Sequence, residues 1–378
     1  MRYLDAGESH GEMFVAVVEG MPSNLIIDED LINYELEKRQ GGYGRGGRMK
    51  IEKDKINIVT GVRQGKTTGA PITLIIRNKD YENWKEKLND PLNEKIQRPR
   101  PGHADLNGII KYDLDDIRDI IERSSARQTS IRTSVGALAT VFLKNFNIKV
   151  HSRVVQIGSA IDNSPVTEEG IKIAEASDLM CSSKECEEKM IEEITLAQEK
   201  GDTLGGKIEI IIKNVPAGLG SHVQWDKKLD ARLAGAMMSI QGIKAVEIGM
   251  GSEVANLHGS KVHDEIYYSK DKGYYRGTNN AGGIEGGMSN GEDIIIRVSM
   301  KPIPTLRVPL SSVDISTKEA CKAVFERSDV CAVPAAGVVA RNAAMWEIAC
   351  AVMEKFGGDS MKETTNNFNS YKEQVLKK

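Results

Sequence analysis

Residues 39–48 read RQGGYGRGGR, with three arginines along ten residues of which half are glycine. Glycine frees the backbone to take φ > 0 and to approach a ligand closely, at an entropic cost, so a segment this rich in it is not core material. A chain that keeps such a stretch has to fold around it as a loop fixed by what it binds. The guanidinium forks of Arg39, Arg45 and Arg48 suit phosphate or carboxylate, which they grip with paired hydrogen bonds. Three readings compete: an RGG-like nucleic-acid segment, a clamp for a small anionic ligand, and a solvated basic linker.

Composition weighs against the first of these. The chain carries 51 basic and 54 acidic residues, a formal charge of -3, which does not suit a protein built to coat nucleic acid or an acidic membrane. Binding single strands by stacking calls for aromatics among the cations, whereas Tyr43 is the one aromatic in the loop and aromatics make up 5% of the chain. With 378 residues, 40% of them hydrophobic, there is ample apolar surface for a large core. Five cysteines (Cys181, Cys186, Cys321, Cys331 and Cys350) form no CxxC pair and have no histidine at ligand spacing, so neither a disulfide framework nor a metal site is expected. The opening MRYLDAGESHG lacks an apolar signal core and no later run reaches membrane-span length, which points to a reducing, cytoplasmic compartment.

Along the chain, residues 13–18 (MFVAVV), 56–60, 72–76, 207–213 and 293–300 have the apolar content of strands. Asp28 is placed to cap a helix that carries Leu31, Tyr34 and Glu35 to the arginine-glycine loop, and Asp226 to cap one bearing Leu229, Leu233 and Met237. Residues 77–101 read as a long polar surface loop. Residues 114–139 are helical in period but broken at 123–129 (RSSARQT), where Arg and Ser suit an anion. A last helix starts near Pro334, and a polar, frayed tail is expected over residues 358–378. No linker composition splits the chain, so one large α+β domain over residues 1–357 is expected, its site assembled from distant loops.

Two histidines stand out because each lies in a turn beside groups able to hold an anion: His10 in GESHG and His103 in RPRPGHAD. Near a bound phosphate such a histidine can give up a proton close to neutral pH. A third polar knot, Arg327, Ser328 and Asp329, offers a cation for the anion and a carboxylate that can take a proton.

In order and spacing, GESHG, RPGHAD, RSSAR-T, MMSI--IK-VEIG, NNAGGIEGGMSNG, KPIPT and R-D-C--P closely resemble the chorismate synthase family over residues 7 to about 350. The resemblance implies a β-α-β sandwich, a homotetramer, and a flavoenzyme of the shikimate pathway that converts 5-enolpyruvylshikimate 3-phosphate to chorismate and phosphate by 1,4-anti elimination. It implies reduced FMN as cofactor, with NADPH entering only as a flavin reductant, and no nucleic-acid or membrane partner.

Position by position, it implies that His10 protonates the flavin near N1, that His103 is the acid beside the leaving phosphate, and that Asp329 helps remove the C6 proton near flavin N5. Ser9, Arg39, Arg45, Arg48 and Arg127 would face the substrate, Arg39 and Arg45 also NADPH. The resemblance assigns FMN contacts to Arg123, Ser124, Ser125, Gln241, Gly242, Gly286, Lys301, Pro302, Ile303, Pro304, Thr305 and Arg327. The chain departs from the usual pattern at Ser328 (usually His), Val330 (Pro), Ala335 (Arg) and Gln128 (Glu), all in site motifs.

Overall fold

The computed structural model describes the whole chain except residues 47–51, 91, 93 and 327, and the side chain of Asn89. Two antiparallel sheets enclose a layer of helices. The first has the order Arg2–Ala6, Met13–Glu19, Ile72–Arg77, Asn57–Thr60. The second runs Ile243–Ile248, Ile294–Met300, Gly206–Lys213, Lys149–Ile157, Ala160–Ile161. Strand alternation decides which face turns inward: Phe14, Ala16 and Val18 are fully buried, as are Ile72, Leu74 and Ile76 opposite them.

The filling between the sheets is Thr129–Lys144, packed on the first sheet, and Val333–Phe356, packed on the second and on Thr129–Lys144. Both helices are buried nearly all round, Val333–Phe356 mostly through apolar residues and Thr129–Lys144 with Ser130, Thr133 and Ser134 among its buried side chains. They approach closely at Gly136, where a Cβ would lie 2.2 Å from the Asn342 carbonyl oxygen. Glu29–Gln40 lies against both helices, capped by Asp28 through the Leu31 N–H, and delivers the arginine-glycine loop to one end of the layer. The result is an α+β sandwich with one large core, beside which Ile109, Ile117, Ile120 and Ile121 form a small cluster of their own.

Three expectations are corrected. Asp226 caps nothing: it sits in a short 3-10 turn, Trp225–Lys227, and the helix Leu229–Met238 starts after it, at Lys228. The polar stretch 77–101 contains a helix, Tyr81–Asn89, whose thin apolar content hides its period. The tail is not frayed but forms the helix Met361–Lys377. A Ser360/Glu363 capping box starts it, Phe368 packs on Phe146 and Phe356, and Tyr371 donates to the Ala217 carbonyl. The S-x-x-E spacing was the available signal.

Candidate active site

His10 lies in the turn between Arg2–Ala6 and Met13–Glu19 and is nearly buried. Glu122, near the end of helix Ile117–Ser124, holds this turn at three points. Its Oε2 accepts the His10 backbone N–H at 2.7 Å, its Oε1 lies 2.8 Å from His10 Nδ1, and its carbonyl accepts the Ser9 N–H at 2.8 Å. Burial pushes the Glu122 pKa up, but the His10 hydrogen bonds and charge, with Arg118, hold it below the usual carboxylate value. Trp84 lies against the imidazole, centroids 4.0 Å apart, and the Arg118 guanidinium lies 5.2 Å from the Trp84 ring centroid. Arg118 also donates to Glu326 at 3.0 Å, which brings in the segment that ends in Asp329.

His103 is held in a nest built within six residues. Its Nδ1 is 2.5 Å from Asp105 Oδ1, and Arg100 donates its backbone N–H, Nε–H and Nη2–H to the same carboxylate at 2.8–3.0 Å. Burial pushes Asp105 up, but the hydrogen bonds from His103 and Arg100 override it and carry its pKa well below the ordinary carboxylate range. The remaining Arg100 nitrogen donates to Thr305 Oγ1 at 3.0 Å. Lys301 Nζ donates to the Gly102 carbonyl, so the 301–305 segment backs the histidine turn. A cavity of about 510 Å³ opens beside His103, between residues 99–107 and the hairpin of Ser311–Val313 and Ala320–Lys322. A smaller one, of about 190 Å³, lies elsewhere, among Tyr3, Arg132, Trp346 and Glu347.

The arginines divide. Arg45 Nη1 pairs with Asp329 at 2.7 Å, and the Gly46 N–H donates to the other Asp329 oxygen at 2.6 Å. A Cβ on Gly46 would stand 3.1 Å from the Ser328 carbonyl, so a small residue is needed for this approach. Arg39, in contrast, is 4% exposed and donates to Thr129 Oγ1 and the Ala126 carbonyl. Burial pulls its pKa down to about 9 against the opposing charge of Asp54, with Arg127 and Arg45 adding to the fall. It remains a cation at neutral pH, close enough to Arg45 and Asp329 to feel both. Arg127 is buried and grips Asp54 with two bonds of 2.6 Å, while also reaching Asn78 at 2.9 Å. Asn78 in turn donates to the Gly11 carbonyl, one residue past His10. Arg48 and Arg327 lie outside the described residues.

Among the positions expected to touch a flavin, several share this network. Ser125 accepts from Ser9 Oγ at 3.2 Å, and Gln241 donates to Gln128, which itself donates to Asp5. Lys301 N–H donates to the Gly242 carbonyl, Ile303 accepts from Thr203, and Ser328 Oγ donates to the Thr305 carbonyl at 3.2 Å. Arg123, at the rim, donates to the Gly7 and Asp5 carbonyls. Pro304 packs beside Gly102, and Pro302 follows Lys301 along the same wall. Gly286 stands apart: it turns the hairpin Ile284–Glu285 and Met288–Ser289, whose bonds run to Leu219 and Leu229. Glu122, Asp105, Arg100, Arg118, Trp84 and Asp54 had not been read from the sequence as site residues. Arg100 and Asp105 lie inside the RPRPGHAD motif and Glu122 directly precedes RSSAR, but no local pattern marks Trp84 or Asp54.

At the expected flavin positions, two buried polar atoms, Ser124 Oγ and Gln241 Oε1, have no hydrogen-bond partner among the described residues. Leaving such atoms unpaired costs about 1–3 kcal/mol each, so they suit a polar ligand that completes them. Both are among the expected flavin positions, and the cations and backbone donors around them fit an anionic, hydrogen-bonding group.

Comparison with known proteins identifies the family. The sequence profile of the family described as chorismate synthase matches residues 1–353. Chorismate synthase of Caldanaerobacter subterraneus subsp. tengcongensis is 56% identical over 371 residues, 98% of each chain. That of Geobacter sulfurreducens is 54% identical over 389 residues, 99% of each. A crystal structure of chorismate synthase, 41% identical, superposes with a TM-score of 0.82 over 100% of this chain and 98% of the other. Sequence and fold together place the chain in the chorismate synthase family.

Proposed function

We propose that this chain converts 5-enolpyruvylshikimate 3-phosphate to chorismate and phosphate by 1,4-anti elimination, in the shikimate route to aromatic amino acids. The observation that carries the reading is a pair of histidines, each gripped through Nδ1 by a buried carboxylate, together with the Arg45–Asp329 pair and the unpartnered Ser124 and Gln241 atoms.

The reaction breaks a C–H bond at C6 and the C–O bond to phosphate; the electrons of the C–H bond form a new C=C, the ring double bond shifts toward the leaving group, and a conjugated diene results. His103, pinned by Asp105 and beside the cavity, gives a proton to the departing phosphate oxygen through Nε2. The Asp329 carboxylate takes the C6 proton. Arg45 is the cation that Asp329 now neutralises, so a bound trianion competes for it and releases the carboxylate for its task. Buried Arg39 adds positive field behind Arg45, and Arg127 organises the carboxylates that hold the loop. Ser9, Arg48 and the Arg45 fork contribute to substrate binding.

The family uses reduced flavin, which here we take to be FMN. When bound it supplies electron density to the electron-poor transition state as phosphate leaves. Arg123, Ser124, Ser125, Gln241, Gly242, Lys301 to Thr305, Arg327 and Gly286 would hold it, Gly286 from outside the network. His10 holds a proton for it. NADPH, at Arg39 and Arg45, would serve only to reduce it. The chain acts on a small-molecule substrate; no described helix is long and apolar enough to cross a membrane, and we take the working form to be a cytoplasmic homotetramer.

The test is phosphate release from 5-enolpyruvylshikimate 3-phosphate by the purified protein, anaerobically, with photoreduced FMN. Release matched by chorismate formation is expected; a well-folded protein that releases none overturns the reading. Bleaching of FMN by NADPH alone decides whether the chain reduces its own flavin.

A further inference from the structure

We propose that Glu122 is the positioning residue of His10, fixing the imidazole as its Nδ1–H tautomer so that every proton His10 exchanges with a ligand passes through Nε2. The inference rests on the reading of His10 as a proton carrier, but its geometry stands by itself.

A carboxylate has only acceptors, and Glu122 is held in its ionised form by its surroundings, so the atom 2.8 Å from it, His10 Nδ1, must carry hydrogen. The same carboxylate takes the His10 backbone N–H with its other oxygen. Ring and main chain are therefore held by one group, which removes rotation about both side-chain torsions. Trp84 closes one face of the ring, and Arg118 joins the two supports: it lies 3.5 Å from Glu122 Oε1 and over the Trp84 ring. Glu122 itself is 6% exposed and sits on a helix, the kind of rigid support that a preorganised proton donor needs. A bond from a distant helix to both the backbone and the ring of one histidine is more than docking a turn demands; the Ser9 N–H to Glu122 carbonyl bond already does that.

The experiment uses the full chain labelled with ¹⁵N-histidine, the His10 signals being identified by their loss in His10→Asn. In the wild type the neutral ring is expected as Nδ1–H. Glu122→Gln offers one acceptor and one donor where two acceptors stood, so the Nε2–H form should become populated. Turnover should fall roughly 10–100-fold, the range for losing a partner that orients an imidazole, with FMN affinity and substrate KM changing less than about threefold. Glu122→Asp, which keeps the charge, should restore the Nδ1–H signal and part of the turnover; it also serves if Glu122→Gln folds poorly. An unchanged tautomer in Glu122→Gln overturns the proposal, as does a turnover loss that merely tracks lost FMN binding and melting temperature. If His10→Ala keeps full phosphate release, the role given to His10 falls, while the tautomer still decides what Glu122 does.

Discussion

The two histidine nests use the same chemistry and opposite construction. His103 finds its carboxylate two residues away and its arginine three residues back, so the RPRPGHAD turn carries nearly the whole device. His10 reaches across 112 residues for Glu122, and its aromatic wall comes from a third segment. In the local nest one short turn supplies nearly every contact; the long-range nest centres on Glu122, backed by Arg118 of the same helix, and draws its other support, Trp84, from a separate element. The first should therefore fail all at once and the second by degrees.

The largest effect is expected at the local nest. His103→Ala should lower phosphate release by roughly 10²–10⁴-fold, the range for losing a general acid, while FMN still binds, as read by flavin fluorescence. Turnover intact with FMN binding lost would reverse the assignment. Next, Asp105→Asn leaves Arg100 buried without its counter-charge and should cost about 3–5 kcal/mol in urea unfolding, whereas Glu122→Gln should cost less, since Arg118 keeps Glu326. Equal losses would erase the distinction.

The third test is acid stability. Asp105 has a folded pKa depressed below its ordinary 3.8, so its contribution is fully present above that value and is lost as the pH falls through the folded pKa. Unfolding free energy of the wild type should thus fall below about pH 4, with a shallower slope in Asp105→Asn. An identical slope would mean that Asp105 is not depressed. The smallest effect is Trp84→Leu, which removes one stacked face worth about 0.5–1.5 kcal/mol; turnover should drop by roughly threefold with the His103 nest untouched.

The same contrast explains what could be read from the sequence. His10, His103 and Asp329 were marked because each sits in a short motif, and strands such as residues 13–18 and 72–76 showed in their apolar runs, whereas the sandwich followed only from the family resemblance. Asp54 and Glu52 were not, because EKDKIN reads as a solvated charge run, although both carboxylates are buried against Arg127. Trp84 stood in a segment too polar to show a helical period. Arg39 belonged by composition to an open loop, but the helix that carries it turns it inward to Thr129 and Ala126. Partners chosen by tertiary packing leave no local trace, whereas caps and turns do, as Asp28 and the overlooked Ser360 both illustrate.

The helix Val333–Phe356 fills the space between the two sheets, yet it follows every strand of both in sequence. Until it leaves the ribosome, the inner face of the second sheet, with Ile208, Ile210 and Ile296, has no cover on that side. Closure of this layer is therefore expected to wait for the helix. Before the helix docks, the chain is an open sandwich, and it closes only when this later segment wedges between layers laid down ahead of it.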